Sequence, residues 1–255
     1  MINIKTDGHV HTRYCNHATG EMDEYAQAAV KLGLDKIVFL EHCETRINYF
    51  ESTWVSKDDF KLFFKEGERL KKKYSGLLKI GLGVEVGYNP KCVREIIEFL
   101  DCYEWDRIGI SYHFLEADDG QHINMVSRRK TNLDALERIG IDKVISTYYQ
   151  DLNEAVELLP GTVLCHLDAV LRHYPGPLQL TDEHNKMIRD LLLSVKREKM
   201  ALEVNTSGFK LRNEPFPTVS LLKEAVKLGI PLAPGSDAHR PEDVGRCFDR
   251  LPDLL

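Results

Sequence analysis

Residues 7–17, with the sequence DGHVHTRYCNH, contain three histidines directly after the run MINIKT. His9 and His11 are two positions apart, a spacing that places both side chains on one face of an extended strand. Imidazole nitrogens bind Zn, Mn or Fe without any cysteine, so this segment could supply part of a metal site. An isolated H-x-H pair on a strand is more often a half-exposed polar face than a ligand pair. The rest of the chain has to separate these two interpretations.

Further residues that can bind metal stand where short apolar runs end. They are His42 in IVFLEH, Glu85 in IGLGVEV, His113 in RIGISYH, His166 in TVLCH, and Asp237 with His239 after PLAPGS. Some have an ordinary alternative: Glu85 could be an ion-pair partner, and Asp237 could cap a helix that begins near Pro241. These alternatives do not explain why almost every histidine stands at the same end of a different run. We therefore favour a shared site.

The apolar runs predict β-strands that alternate with amphipathic helices. The predicted strands span residues 3–10, 36–40, 78–86, 107–112, 162–165, 200–204 and 230–233. Apolar residues at three- and four-residue steps predict a helix over residues 22–30, with Gly33 as its stop, and a second helix over residues 60–70 with Lys57 and Asp58 as its caps. Further helices are predicted to begin near Pro90, Asn132, Thr181 and Thr218.

This alternation indicates parallel strands joined by helical crossovers. Seven strands favour a closed or nearly closed (β/α)7 barrel, and an open doubly wound sheet is the alternative. No G-x-G-x-x-G follows the first strand, which weakens the dinucleotide-binding version of that alternative. The carboxyl ends of barrel strands converge on one rim. We therefore expect the strand-end residues to meet there, together with His17, because the first loop is long enough to fold back.

The predicted rim collects seven of the ten histidines and two carboxylates. Nine ligands are too many for one ion but suit two or three ions that share a bridging carboxylate, and Glu85 is placed to bridge. His122 and His173 are predicted to lie in loops. His184 falls in a helical stretch and is predicted to lie on the surface.

Composition limits the classes of protein to which the chain could belong. A net charge of −6, a pI of about 5.9 and the lack of a basic stripe argue against a nucleic-acid-binding protein. No composition shift or linker divides residues 1–255, so we expect a single domain. The N-terminus lacks a signal-peptide pattern, no apolar run reaches membrane-spanning length, and the six cysteines form no C-x-x-C pair. We therefore expect a cytoplasmic protein with reduced thiols. The sequence carries no signal for an oligomeric state.

In chain order, the segments DGHVHT with His17 downstream, FLEH, GVEVGY, ISYHF, CHLD and GSDAH resemble the motifs of the PHP family, named for polymerase and histidinol phosphatase. With EVNTSG and GSDAHRPEDVG, the chain is most similar to the stand-alone histidinol-phosphate phosphatases of the HisJ/HisK type. The resemblance spans residues 7–239. It implies a distorted (β/α)7 barrel, with a metal site of three divalent ions (Zn, Mn or Fe) at the carboxyl ends of the strands.

The resemblance also implies a ligand assignment and a reaction. One metal would be held by His9, His11, Glu85 and Asp237, a second by Glu85, His113 and His166, and the third by His17, His42 and His239. The reaction would be hydrolysis of L-histidinol phosphate to L-histidinol and phosphate in histidine biosynthesis. The partner is thus a small phosphorylated substrate, with no nucleic acid or membrane involved.

Phosphate monoesters are among the slowest compounds to hydrolyse without a catalyst. Metals lower the pKa of bound water and neutralise phosphate oxygens. We therefore expect a metal-activated hydroxide to attack phosphorus in line while another metal holds a non-bridging oxygen. Glu85, Asp237 and His239 are the candidate catalytic residues. The acid for the leaving group could be Asp237, His239 or metal-bound water.

Other polar residues are candidates for supporting roles. Arg172 and Arg212 are the candidates for phosphate binding, because a guanidinium can grip a phosphate with two hydrogen bonds. Asp7, Glu41 and Asp168 lie within two residues of the expected ligands and could orient imidazole rings. The acidic loop at residues 116–119 could receive the amine of histidinol.

Two alternatives to this reaction stay open from the sequence. A phosphoesterase of the same site class could act on a nucleotide, an oligonucleotide or a tyrosine phosphate. A metal-binding module of the same family could also lack catalytic activity. The native metal is not determined by the ligand types, because histidine-rich sites bind several ions.

Overall fold

The computed structural model describes residues 2–175 and 179–254, and its main element is a sheet of seven parallel strands. These strands are β1 (Thr6–Val10), β2 (Lys36–Glu44), β3 (Lys79–Gly87), β4 (Arg107–Ser111), β7 (Val163–Leu164), β8 (Ala201–Asn205) and β9 (Leu232–Gly235). They are hydrogen-bonded in the order in which they occur in the chain. Between β4 and β7 the chain adds an antiparallel hairpin of β5 (Phe114–Glu116) and β6 (His122–Asn124).

The first and last strands of this sheet approach each other. Val10 forms a parallel bridge with Ala238, just beyond β9. The backbone N–H of His11 donates to the carbonyl of Ala238, and the N–H of Asp237 donates to the carbonyl of His9, each at 2.9 Å. The sheet therefore curls into a nearly closed barrel, which confirms the predicted distorted (β/α)7 fold.

Helices cover the outside of this barrel. They are α1 (Met22–Lys31), α2 (Lys57–Lys73), α3 (Val93–Leu100), α4 (Lys130–Ile139), α5 (Ile141–Leu158), α6 (Asp182–Arg197), α7 (Phe209–Arg212) and α8 (Val219–Lys227). The N-terminus of α2 is capped by the Ser56 hydroxyl, which accepts from the N–H of Asp59. The predicted caps, Lys57 and Asp58, instead lie in the first turn of the helix. After α1, Gly33 adopts a left-handed φ of 67°, as expected for a glycine that stops a helix. Within the described ranges, no helix is long and apolar enough to cross a membrane.

The interior of the barrel explains why polar residues collect at one rim. Val38 and Leu40 of β2 pack in one buried apolar cluster with Val163 and Cys165, although β2 and β7 are not neighbours in the sheet. These contacts therefore cross the interior and fill it with apolar side chains. His42 follows Leu40 at the same two-residue step, so it points to the same side, one level nearer the rim.

Several elements differ from the sequence-based expectation. Strand β2 continues to Glu44, so His42 lies inside the strand, because β2 and β3 stay paired through His42 and Glu85. Helix α5 and the β5–β6 hairpin were not predicted. The predicted exposure of His184 is wrong, because this side chain is 1% exposed. Its ring accepts from the N–H of Thr181 at the start of α6, and its Nε2 lies 3.0 Å from the hydroxyl of Ser146 on α5. The packing of α6 on α5 therefore buries it.

Candidate metal centre

The end of β1 and the segment after β9 bring the first group of candidate ligands together. Nε2 of His9 lies 2.8 Å from Nε2 of His11, which lies 3.4 Å from Oδ1 of Asp237. Asp237 has a left-handed φ of 51°. It occupies that conformation beside the bridge between Val10 and Ala238, so closure of the barrel places its carboxylate against the histidines of β1.

Glu85 on β3 lies at the centre of the site, and its two oxygens face different histidines. Oε2 is 2.9 Å from Nδ1 of His42 and 3.3 Å from Nε2 of His9. Oε1 is 2.7 Å from Nε2 of His166 and 3.3 Å from Nε2 of His113. The carboxylate is fully buried, and Oε2 accepts no hydrogen bond within the described part of the chain. A carboxylate in this position is suited to bridge two cations.

His17 and His239 form the outer part of the site with His42. Nε2 of His17 lies 2.8 Å from Nε2 of His239, and the ring centroids of His17 and His42 are 5.2 Å apart. The ring of His11 stacks on His42 with a centroid distance of 4.0 Å, which joins this group to the one on β1. The structure thus brings all nine predicted ligands into one site.

Hydrogen bonds at Nδ1 set the direction of four of these rings. The acceptors are Glu203 for His9 at 2.5 Å, Glu44 for His113 at 2.8 Å, the Cys15 carbonyl for His17 at 3.0 Å and the Asp237 carbonyl for His239 at 3.0 Å. A carbonyl or carboxylate oxygen can only accept, so each ring carries a proton on Nδ1 and, when neutral, directs the Nε2 lone pair into the site.

The arrangement of these ring nitrogens agrees with metal binding. The Nε2 lone pairs of neutral His17 and His239 face each other at 2.8 Å, which is repulsive unless a cation lies close to both. Ligand atoms of His17, His42 and His239 lie within 4.8 Å of one another, as do those of His9, His11 and Asp237. Nitrogen and carboxylate oxygen donors suit Zn, Mn or Fe. The residues fit divalent metal ions.

The charges in the site favour metal binding at neutral pH. Burial lowers the pKa values of His17, His42 and His239 to about 4, and neighbouring histidines add to this effect. Their lone pairs are therefore free for metal. Burial opposes ionisation of Glu85 and Asp237, but the surrounding histidines outweigh it and hold both pKa values well below the ordinary range. The site thus combines neutral imidazoles at His17, His42 and His239 with two charged carboxylates.

Glu203 and Glu44 orient the rings of two candidate ligands, although neither residue was predicted from the sequence. Both residues could have been recognised from their positions in the sequence. Glu203 is a carboxylate within the apolar strand β8, as Glu85 is within β3, and Glu44 stands two residues after His42 on the same strand face. Burial disfavours the charged ring of His113, but Glu85 and Glu44 outweigh it and raise the pKa of His113 to about 10. The same negative surroundings favour a metal cation in place of that proton.

Asp7, Glu41 and Asp168, the residues that we expected to orient the rings, make other contacts. The Asp7 carboxylate accepts from the N–H groups of Ser236 and Gly245, which ties β1 to the segment after β9. Glu41 accepts from the N–H and hydroxyl of Thr12. Asp168 accepts from Arg212 and from the N–H of Thr218. Within the described ranges none of the three hydrogen-bonds a ligand ring; they hold the loops that carry the ligands.

A cavity of about 260 Å³ opens beside the candidate ligands, and His42, His113 and His166 line it. Arg172 also lines it, with Nη1 3.8 Å from Oδ2 of Asp237. Arg129, which the sequence-based reasoning did not select, lines it as well and forms an ion pair of 2.6 Å with Glu51.

Arg212 and the acidic loop at residues 116–119 lie elsewhere. Both oxygens of Asp168 accept from the Arg212 guanidinium at 3.0 Å, and the guanidinium stacks 4.1 Å from the ring centroid of Phe216. The acidic loop lines a separate cavity, and Glu116 in that loop pairs with Lys91 at 2.6 Å. Neither Arg212 nor this loop is among the residues around the 260 Å³ cavity.

Comparison with known proteins gives consistent matches along the chain. Residues 7–207 match the family model described as the PHP domain, and residues 222–253 match a model described as PHP-associated. The chain is 28% identical over 261 residues to the histidinol-phosphatase of Bacillus subtilis, covering 96% of this chain and 97% of that protein.

Two solved structures have a similar fold. The crystal structure of a Listeria monocytogenes protein matches with a TM-score of 0.87 at 24% identity, covering 96% of this chain and 99% of that chain. The histidinol phosphate phosphatase of Lactococcus lactis, in complex with Zn, L-histidinol and phosphate, matches with a TM-score of 0.76 at 21% identity. That match covers 100% of this chain and 93% of the other.

Proposed function

The chain belongs to the PHP domain family, and we propose that it is a metal-dependent phosphomonoesterase that hydrolyses L-histidinol phosphate to L-histidinol and phosphate. The observation that carries this proposal is the position of Glu85, whose two oxygens face different histidines beside a cavity. The activity named for the Bacillus subtilis relative and the ligands of the Lactococcus lactis structure support this choice of substrate.

We propose three divalent metal ions (Zn, Mn or Fe) per chain. The ligands would be His9, His11, Glu85 and Asp237 for one ion, Glu85, His113 and His166 for the second, and His17, His42 and His239 for the third. When bound, such ions lower the pKa of water and neutralise phosphate oxygens. The two-sided contacts of Glu85 support its bridging role, and the facing nitrogens of His17 and His239 support the third ion.

The protein's own groups position the phosphate and the attacking water. The Arg172 guanidinium lines the cavity and is placed to donate hydrogen bonds to phosphate oxygens. Asp237 directs Oδ1 toward His11, while Oδ2 lies 3.4 Å from the hydroxyl of Ser207 and 3.8 Å from Arg172. Because the pKa of Asp237 is held well below the ordinary range, its carboxylate is ionised at neutral pH. We assign it the role of accepting a hydrogen bond from the attacking water and so orienting that water toward phosphorus.

The cavity also offers a group for the ammonium of the substrate. Glu44 and Glu51 line it, and Glu44 already accepts from His113. Glu51 is 43% exposed and pairs with Arg129 at the surface, so its carboxylate is accessible to a second cation. We therefore assign ammonium recognition to Glu51.

Phosphate release from L-histidinol phosphate tests the proposal. The substrate would be compared with a nucleoside monophosphate, tyrosine phosphate and a short oligonucleotide, with Zn, Mn and Fe supplied separately to chelator-treated protein. We expect histidinol phosphate to be preferred, and two to three metal equivalents by elemental analysis of protein purified without chelator. A preference for another phosphoester would show that this ester, and not L-histidinol phosphate, is the substrate. Full metal loading with no turnover of any ester would identify a non-catalytic metal-binding module.

Two further proposals concern the organisation and location of the chain. We propose that residues 1–255 form a single domain, since the PHP-associated match contains β9, which completes the barrel sheet. We also propose that the protein acts in the cytoplasm. The six cysteines, which all lie within the described ranges, are free thiols, as expected in a reducing compartment.

A further inference from the structure

Glu203 connects three strands of the barrel through its carboxylate. It lies on β8 and is 1% exposed. Oε1 accepts from Nδ1 of His9 on β1 at 2.5 Å, and Oε2 accepts from the backbone N–H of His166, just after β7, at 2.9 Å. Oε2 also accepts from the side chain of Asn205 at 3.0 Å. One carboxylate therefore contacts two of the candidate metal ligands, on opposite sides of its own strand.

The contact with His9 determines which ring nitrogen faces the site. Because Oε1 accepts from Nδ1, the Nε2 lone pair of His9 is directed toward His11 and Glu85. A carboxylate that accepts from the remote ring nitrogen keeps an imidazole in the orientation and tautomer that a metal requires. The contact with Glu203 therefore prepares His9 for metal binding.

The contact with His166 holds an unfavourable backbone conformation. His166 has a φ of 22°, at the edge of the left-handed region, which is unfavourable for a residue other than glycine. Its N–H donates to Glu203, and in this conformation its Nε2 lies 2.7 Å from Glu85. Loss of the N–H bond would let the backbone relax and move the ring away from Glu85.

A glycine on the neighbouring strand makes room for this carboxylate. Gly235 is the last residue of β9, and a Cβ at this position would overlap with Oε1 of Glu203 and with Cβ of His9. Its φ is not in the left-handed region, so alanine could adopt the backbone conformation. The lack of a side chain at position 235 is therefore required by the contact between Glu203 and His9.

We propose that Glu203 is a positioning residue that prepares both His9 and His166 for metal binding, and that Gly235 must be glycine to admit it. This inference rests on the metal site of the proposed function. A carboxylate is required because both oxygens must accept. In Glu203→Gln the amide nitrogen would oppose either Nδ1–H of His9 or the N–H of His166, so one of the two contacts is lost.

Two measurements on Zn-loaded protein test this role, and neither depends on turnover. Long-range 1H–15N spectra report which nitrogen of His9 carries the proton, and competition with a chromophoric chelator gives the Zn affinity. In wild type we expect a proton on Nδ1. In Glu203→Gln we expect about 10- to 100-fold weaker Zn binding and loss of the single Nδ1–H form. Gly235→Ala should also weaken Zn binding and disturb the His9 tautomer, although Glu203 and His9 are both still present in this variant.

Glu157→Gln is the control, because Glu157 on α5 is a carboxylate that contacts Ser194 and Arg197, far from the candidate ligands. It should retain the wild-type tautomer and affinity. A proton on Nε2 of His9 in wild type would overturn the proposal, as would wild-type Zn affinity in Glu203→Gln. If Glu203→Gln does not fold, the proposal is tested by the Zn affinity of Gly235→Ala and by the His9 tautomer in the wild-type spectrum. Failure of the proposed function would appear separately, as an inactive wild type with normal Zn binding.

Discussion

Nε2 of His17 and Nε2 of His239 lie 2.8 Å apart, although 222 positions separate the two residues in the chain. Each ring donates from Nδ1 to a backbone carbonyl nearby, Cys15 for His17 and Asp237 for His239. The two lone pairs are therefore held face to face before any ligand arrives. Two loops at opposite ends of the chain thus bring together two of the ligands that we propose for the third ion.

Replacement of either residue should remove one metal ion. For His17→Ala and His239→Ala we expect about one fewer metal equivalent per chain by elemental analysis. We also expect a loss of roughly 100-fold or more in kcat, because a metal supplies several kcal/mol of transition-state stabilisation. The control is His122→Asn, since His122 lies in the hairpin outside the site. An unchanged metal content in both alanine variants would contradict the third ion.

Replacement of Arg172 should impair catalysis through phosphate binding, whereas replacement of Arg212 should reduce stability. Arg172→Ala should lower kcat/KM roughly 10- to 100-fold, because a charged hydrogen bond to phosphate contributes about 1.5–3 kcal/mol. Arg212→Ala should instead lower the free energy of unfolding by about 1–3 kcal/mol, because buried Asp168 loses its cationic partner. Steady-state kinetics and urea unfolding of both variants measure this. The opposite assignment of the two effects would show that Arg212 binds the phosphate.

Glu51 should recognise the ammonium of the substrate and not the phosphate. In Glu51→Gln we expect KM for L-histidinol phosphate to rise about 10-fold, the loss of one charged hydrogen bond. The KM for p-nitrophenyl phosphate, which has no amine, should not change. Glu116→Gln is the matched control, because Glu116 belongs to the acidic loop around a different cavity. A rise in KM for Glu116→Gln alone would move the ammonium site to that loop.

In metal-free protein, His17, His42 and His239 should each contribute a loss of stability as the pH falls from about 6.5 toward 4. Burial lowers the pKa values of His17, His42 and His239 to about 4, so in this window they are protonated only in the unfolded state. The unfolded chain then binds more protons, and the free energy of unfolding decreases with decreasing pH. His113, with a pKa raised to about 10, is already protonated in the folded state and does not reverse this trend.

Urea unfolding in the presence of a chelator, at pH 6.5, 5.5 and 4.5, measures this dependence. His17→Asn removes one of the three titrating groups, so its stability should fall less steeply with acidification than that of wild type. Buried Glu41, whose pKa burial raises to about 8, contributes in the opposite direction. The difference between the two slopes is therefore the test, and not the sign of the wild-type slope. Equal slopes in wild type and His17→Asn would show that His17 does not titrate with a lowered pKa.

Much of the site follows from patterns along the chain, because a strand has a local period of two. Val38, Leu40 and His42 occupy one strand face, so an apolar run that ends in a histidine predicts a ligand at the barrel rim. The same reasoning applies to His113 at the end of β4. Parallel strands then require these ends to meet, whatever the loops between them do.

Contacts between side chains from distant segments did not follow from such patterns. The burial of His184 depends on the packing of α6 against α5, and its sequence is equally suited to a surface position. The different environments of Arg172 and Arg212 depend on where two loops direct side chains of the same type. Their local sequences do not distinguish them.

The sequence by itself determined the parallel barrel and which metal-binding residue types stand at its strand ends, because these depend on local periodicity and residue type. Only the tertiary structure decided which groups support the ligands. Glu203 reaches His9 and His166 because barrel closure brings β8 close to both β7 and β1, across a glycine of β9. Such a contact depends on side-chain direction and on the space left by a third strand, and neither is encoded near Glu203 in the chain.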